Sequence, residues 1–395
     1  MSTVARGLWV GLYIDGAEVV GLASRIDSLE IEEATLGASM LRLRLDIAPL
    51  GSGEWDLLSD ERFSLLRRLT VALGQSSTTD PAPTETINVF DGYITALQPT
   101  FSATRTPGSV LEIEAMDASC LMHLDERHRE WLDKSDAEIA KAIFQEYGFA
   151  VDVEDSAPSR RAERGSLVQR CTDAEFLRQL ARRNGFECWV EAGSGEPNVG
   201  PSPGSFVVGH FHLPRLGGTA QPALVLMPVS NTNIVEMKVR WESHRPVSWQ
   251  ASHMDMQSRR VRSQTIEKSR LPKQGKSNRL ELIQERLSAV LPGRAGVRPL
   301  ARPHMDVPHQ EPELENLTRA GFEESDWLAE ATVTVQGVLY PTILRSRRTV
   351  AMEGAGQLLD GTWYVRSLRH RWTAAEHTPR FETDAELVRN ALGTA

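Results

Sequence analysis

Hydrophobic and polar residues alternate along much of this chain with the two-residue period of half-buried strands. Residues 40–47 read Met-Leu-Arg-Leu-Arg-Leu-Asp-Ile, so Leu41, Leu43, Leu45 and Ile47 share one face. Val110 to Met116 alternates in the same way, and Arg68 to Leu73 reads as another short strand. Residues 8–14 run into Asp15-Gly16, a two-residue hairpin signal. Ile87 to Phe90, Asp91-Gly92 and the stretch from Tyr93 read as strand, turn, strand, while Gly74 to Thr86 is polar and reads as a loop. Residues 1–118 therefore predict an antiparallel β-domain.

The period changes after Asp117. Ser135-Asp136 can start a helix whose apolar face is Ile139, Ile143, Phe144 and Tyr147, with Gly148 as its stop. Thr172 stands three residues before Glu175, the spacing of a capping box, ahead of Phe176, Leu177 and Leu180 and a stop at Asn184-Gly185. Phe186 to Glu191 reads as a strand, so residues 119–205 predict an α/β insert ending in the loop Gly193 to Gly204. Strands return over Phe206–Leu213, Ala223–Pro228, Ile234–Trp241, Arg348–Met352, Thr362–Trp372 and Arg380–Leu387, which makes 206–395 a second β-domain. Leu280 to Leu291 reads as a helix, Trp327 to Leu339 carries neither period cleanly, and Pro292 to Pro312 reads as an irregular arm. The fold class predicted is mainly β with an α/β insert.

Two segments repeat each other. Asp91-Gly92 leads into Tyr93, Ile94, Leu97 and Phe101; Asp360-Gly361 leads into Tyr364, Val365, Leu368 and Trp372. From the tyrosine onward the apolar spacing is the same, and even separations put tyrosine, leucine and final aromatic on one strand face. Thr106-Pro107 and Thr378-Pro379 follow at nearly matching places. Either the chain carries two related β-domains, or two long strands share a common apolar spacing.

Composition narrows the function classes. The chain has 395 residues, 41% hydrophobic and 25% charged, with a net charge of −9. No apolar run approaches the roughly 20 residues of a membrane span, and the acidic balance argues against coating nucleic acid by bulk charge. Three cysteines, Cys120, Cys171 and Cys188, stand too far apart for a disulfide framework or a zinc-binding pair, and read as buried thiols. The short apolar stretch from Gly7 to Ile14 is interrupted by Asp15-Gly16, so it reads as a hairpin rather than a secretion signal, and folding in the cytoplasm is expected.

The repeat lies within a wider resemblance. Leu359-Asp360-Gly361-Thr362-Trp363-Tyr364-Val365-Arg366-Ser367-Leu368-Arg369-His370 resembles the sG-x-Y-x-V-x-x-V-x-H strand near the C-terminal end of phage late control D proteins, and Leu387-Val388-Arg389-Asn390 resembles their closing strand. Val89-Phe90-Asp91-Gly92-Tyr93-Ile94, Met116-Asp117-Ala118-Ser119 and the Thr172-to-Ala181 helix resemble further family segments in family order. The basic and Pro-rich stretch of about 250–325 matches least. These proteins are baseplate hubs of contractile tails and injection machines, and form the hub portion of VgrG-like proteins. The resemblance implies a homotrimer of subunits with two tube-like β-barrels each, which adapts a six-fold inner tube to a three-fold spike. It implies tube, spike and baseplate-wedge proteins as partners, and cytoplasmic assembly into a tail or injection particle. A chain ending just after the last hub strand implies a spike carried by a separate protein.

Candidate chemistry is sparse. His210-Phe211-His212 puts two imidazoles on one strand face, but no third ligand stands at recognisable spacing, so neither metal nor cofactor is assigned. Asp125 to Glu130 is a charge run that reads as a solvated helix or loop surface. No nucleophile elbow or phosphate loop is present, and no catalytic residue is named. Residues 256–279 hold eight Lys/Arg against one Glu, which reads as a solvated loop that docks on an acidic partner. Arg366 and His370 are expected on one strand face, with Arg369 and Arg371 on the other, lining a channel or meeting a neighbour. The competing reading is a peptidoglycan-active or carbohydrate-binding tail component, for which nine scattered Trp are the only pointer.

Overall fold

Two sets of six strands, laid down in the same order, meet in one 13-stranded sheet. The structure is a computed structural model that describes residues 6–77, 86–104, 108–156, 167–192, 207–226, 231–255, 259–291, 293, 300–302, 311–374 and 380–394. The Thr106-Pro107 and Thr378-Pro379 match, the 193–204 loop and most of 292–312 lie outside the described residues. The first part of the chain forms β1 (Arg6–Ile14), β2 (Ala17–Glu18), β3 (Ile26–Ala34), β4 (Met40–Asp46), β5 (Arg68–Ser77), β6 (Thr86–Thr100) and β7 (Val110–Asp117). The middle forms β8 (Glu126–Trp131), α1 (Asp136–Glu146), β9 (Ala150–Val153), β10 (Leu167–Thr172), α2 (Asp173–Asn184), β11 (Glu187–Ala192) and β12 (Val207–His212). The next stretch forms β13 (Gln221–Val225), β14 (Ile234–Trp241), β15 (Ser248–Asp255), β16 (Arg260–Ile266), β17 (Ser277–Asn278), α3 (Arg279–Val290), β18 (Leu300–Ala301) and α4 (Glu311–Asp326). The last forms β19 (Ala329–Gln336), β20 (Thr349–Glu353), β21 (Gly361–Thr373), β22 (Arg380–Arg389) and β23 (Ala391–Leu392).

Across the sheet the first set runs β1-β5-β6-β7-β4-β3 and the second β13-β20-β21-β22-β19-β14. Counted in chain order within each set, the two paths are the same permutation. They differ in one pairing: β1 is antiparallel to β5, whereas β13 is parallel to β20. The match extends to a defect. The β6–β7 register shifts between Ile94 and Ala96, and the β21–β22 register shifts between Val365 and Ser367. Each bulge therefore sits two residues after the repeated tyrosine.

That bulge corrects the expected facing of the repeat. An extra residue reverses the inward–outward alternation beyond it. Tyr93 consequently packs in the insert core beside Ala118 and Ile139, while Ile94 and Leu97 pack in the first β-core. Phe101 is exposed and its ring lies 4.9 Å from that of Trp55. Tyr364 packs with Trp327 and Val388, Val365 and Leu368 enter the second β-core, and Trp372 enters the first β-core beside Phe381.

Asp91-Gly92 is not a turn: β6 runs straight through it. The aspartate is buried against Arg68 on β5, with Arg68 Nε donating to Asp91 Oδ1 at 2.7 Å. The glycine is required by proximity, because a Cβ there would stand 2.1 Å from the Met116 carbonyl oxygen. Asp15-Gly16 is a true turn, with φ of 51 and 83 degrees joining β1 to β2.

The two sets are joined edge to edge in that sheet. β21 pairs with β20 through its first residues and with β3 from Ser367 to Thr373. Among the described residues no hydrogen-bonded pairing closes β1 onto β3. In the insert, α1 starts with a full Ser135–Glu138 capping box and α2 ends at Gly185 with φ of 68 degrees. β12 pairs antiparallel with β11 and parallel with β9. The charge run expected to be a helix or loop is β8, paired with β10. β15, β16 and β18 form a small sheet, with Trp249 of β15 donating to Ser325 of α4 at 3.0 Å.

Replacing Gly92 by Ala is expected to lower stability by about 1–3 kcal/mol, the usual cost of overpacking. Gly51→Ala, where a Cβ meets nothing within 4 Å, is expected to change it by under about 0.5 kcal/mol. Urea unfolding of both variants checks this.

Candidate functional site

Three surfaces carry the polar residues that the fold draws together. The first is the join between the strand sets. Inward positions of β3 are Leu29, Ile31 and then Glu33, a carboxylate where an apolar residue is expected. Glu33 Oε1 lies 2.8 Å from Arg345 Nε, and Glu33 Oε2 accepts from the Ser346 amide at 3.0 Å and its hydroxyl at 2.8 Å. Arg347 donates to the Ala34 carbonyl at 2.6 and 3.0 Å. Burial opposes the charge on Glu33, but Arg345, Arg347, His370 and the Ser346 amide outweigh it and hold its carboxyl below the ordinary value. His370 is buried, lies 2.8 Å from Thr383 Oγ1, and burial pushes its pKa down to about 4.

The second surface is the outer face of the same strands. Its charges alternate from strand to strand: Glu382 and Asp384 on β22, Arg369 and Arg371 on β21, Glu30 and Glu32 on β3, Arg42 and Arg44 on β4, Glu112 and Glu114 on β7. Register places Arg369 opposite Asp384 and Glu32, and Arg42 opposite Glu30 and Glu114. Arg371 reaches Asp384 at 2.6 Å, Arg369 ion-pairs with Glu32, and Arg42 reaches Glu112 at 3.3 Å. Exposed pairs of this kind add about 0–1 kcal/mol each, so their main effect is on what the face will accept.

Arg369 and Arg371 share this face. Arg366 does not share a face with His370: it is the bulge residue, and its guanidinium lies 5.6 Å from the Trp327 ring centre. The repeat residues Tyr93, Leu97, Tyr364, Leu368 and Trp372 are packing residues.

The third surface joins the insert to the second set. Tyr364 donates to Glu187 at 2.5 Å, and Arg347 lies 5.0 Å from the Trp189 ring centre. Burial pushes the Glu187 carboxyl up to about 7 despite Tyr364, Arg347 and Arg366. The same face brings Asp152 to His210 and His212, the single group among the described residues whose ligand atoms could hold a metal. The sequence pattern missed Asp152 because it lies on a parallel neighbour strand 58 residues away.

The basic stretch is partly structural. Arg279 is buried and donates to the Glu242 carbonyl at 3.1 Å and the Trp327 carbonyl at 2.5 Å. Arg270 donates to Glu323 at 2.7 Å and to the Asn184 carbonyl at 2.7 Å, tying this stretch to the insert. Arg259, Arg260 and Lys276 stay exposed. The thiols of Cys120 and Cys188 are buried and all three cysteines are free.

Known proteins fit this architecture. The family described as phage tail baseplate hub (GPD) has a model that matches residues 59–376. Comparison with curated protein sequences gives no match. A 43 kDa tail protein of prophage MuSo2 from Shewanella oneidensis is similar at 12% identity and a TM-score of 0.61, over 98% of this chain and 100% of its own. A tail protein from Neisseria meningitidis MC58 is similar at 12% identity and 0.61, over 97% of both chains. An E. coli component of the type VI secretion system, described as similar in structure to the T4 tail proteins gp27 and gp5, is similar at 10% identity and 0.54, over 97% of this chain and 79% of its own.

Glu187 sets a pH dependence. Between the ordinary carboxylate value and about 7 the unfolded chain releases this proton while the folded chain keeps it, so stability falls as pH rises through that window. Glu187→Gln keeps an acceptor for Tyr364 and removes the titration. Relative to the unaltered chain, the variant's change in stability from about pH 5 to about pH 8 is expected to be more favourable by on the order of 2 kcal/mol. Asp326, raised to about 6, adds a contribution of the same sign, while the buried His212 and His370, lowered to about 4, add contributions of the opposite sign below about pH 6.5, so the difference between the two proteins isolates Glu187. Urea midpoints across that range measure it; an unchanged slope would contradict the assignment.

Proposed function

The chain belongs to the phage tail baseplate hub (GPD) family, and from that membership we propose that three copies form a ring-shaped structural hub between an inner tail tube and a spike. The observation that carries this reading is the repeated strand order with its bulge in the same place. One chain then offers two alike units, and three chains offer six. A ring of six alike units meets a six-fold tube on one side, while the trimer as a whole meets a three-fold spike on the other. Each strand set closes into a tube-like barrel only within that ring, with neighbouring copies covering its open edges. The subunit divides for this purpose into residues 1–118, an insert from 119, and a second unit that carries the elaboration of about 250–325.

The charge-striped face lines the lumen of the ring. Alternating acid and base over five strands leaves no apolar patch for a dry contact, and a mixed-charge wall neither traps nor repels a charged cargo as a whole. The striped face crosses the join between β21 and β3, so both units contribute to one wall. The exposed basic residues Arg259, Arg260 and Lys276 face an acidic partner, either the spike or the baseplate wedge. The role is mechanical, and no residue is given a catalytic part. Among the described residues no helix is long and apolar enough to cross a membrane, and the hub is assembled in the cytoplasm into a tail or injection particle.

Native mass spectrometry of the chain, alone and with the spike protein of the same particle, tests the assembly. A mass near three times 43.9 kDa in either sample is expected. A chain that stays monomeric with the spike present, or that cleaves or binds cell-wall polymer as a monomer, would overturn the proposal.

A further inference from the structure

We propose that Asp152, His210 and His212 form a site for one divalent transition-metal ion, with zinc the best match to the donor set. The site is built by strand pairing. β9 runs parallel to β12 with Asp152 opposite His210, and His212 follows on the same face two residues later. One ligand atom from each residue lies within 4.8 Å of the others. His210 Nδ1 is 3.1 Å and His212 Nε2 is 3.7 Å from Asp152 Oδ2. Ligands about 2.0–2.1 Å from a tetrahedral zinc stand roughly 3.3–3.4 Å apart, so these gaps bracket the required edge.

The rings are oriented for the purpose. His212 is 3% exposed, and its Nδ1 lies 2.7 Å from the Leu213 carbonyl oxygen, which fixes that nitrogen as the donor. Its Nε2 is left buried with no hydrogen-bond partner and directed at Asp152, an open lone pair that a cation would fill. Trp189 stacks on His210 at 4.5 Å and meets His212 edge-on at 5.0 Å, which holds both rings. Glu191 Oε1 stands 3.4 Å from His210 Nε2, on the side of the ring away from Asp152. A carboxylate behind a ligating imidazole is the usual outer support of such a ligand.

Two imidazoles and one carboxylate select zinc and its neighbours over magnesium or calcium, which take oxygen ligands. Arg215 is the competitor. It holds Asp152 through both oxygens, at 2.8 Å to Oδ2 and 2.7 Å to Oδ1, and its side chain is 58% exposed. A metal takes Oδ2 and leaves Arg215 on Oδ1. The same sheet face contacts Tyr364 through Glu187, so an ion here would brace the insert against the second strand set.

Isothermal titration of zinc into tag-free, chelator-stripped full-length protein tests the proposal, with cobalt absorption as a second readout. One zinc per chain at micromolar affinity or tighter is expected, with the visible band of tetrahedral cobalt. Asp152→Asn is expected to weaken binding at least tenfold, Arg215→Ala to tighten it, and Cys171→Ser to leave it unchanged. Both site variants change partly exposed side chains, and circular dichroism verifies their fold. No zinc uptake, equal affinity in Asp152→Asn, or loss of uptake in Cys171→Ser would overturn the site.

Discussion

The two halves of the sheet join along the β3–β21 pairing, and a buried carboxylate stands in that join. Glu33 is 2% exposed and stands opposite Leu368 in the β3–β21 pairing. A charge taken out of water costs several kcal/mol unless it is paired and hydrogen-bonded. Arg345, Ser346 and Arg347 meet that requirement from the segment just before β20. The pair is worth little against an apolar alternative, but removing one partner typically costs about 3–5 kcal/mol. What it supplies is register. Only one alignment of β21 against β3 presents Glu33 to Arg345, and that alignment also brings Trp372 into the first β-core and the charge rows into step.

The charge rows depend on that register. A slip of one residue would turn Arg369 and Arg371 inward and bring Leu368 and His370 to the surface. In register, acidic and basic rows alternate over five strands that come from both halves of the chain. The wall proposed for the lumen is therefore a consequence of the join, since neither strand set carries it alone. The insert leans on the same place: Arg347 touches Ala34, and its guanidinium lies over Trp189.

Much of this was legible in the pattern of the chain. The alternation around Leu41 to Ile47, the caps at Ser135 and Thr172 and the glycine stops are local signals, and local chemistry satisfied them. The repeat was legible as spacing, and resemblance to baseplate hubs followed from the same strands. The facing of Tyr93 and Tyr364 was not, because a bulge changes parity without any distinctive residue to mark it. Asp91-Gly92 misled for a related reason: a turn dipeptide also suits a strand where another backbone comes close. Arg279 and Arg270 read as surface charge because their carbonyl and carboxylate partners come from distant elements. Asp152 joined the two histidines only through a parallel pairing, which carries no short-range signature.

Hydrogen exchange on Glu33→Ala tests most directly whether the two strand sets are one sheet held at this join. Protection is predicted to fall together in β3 and in Ser367 to Thr373 of β21, by on the order of 100-fold, while β5 and β6 keep theirs. Unchanged protection at both strands, or a loss confined to β3, would contradict the account.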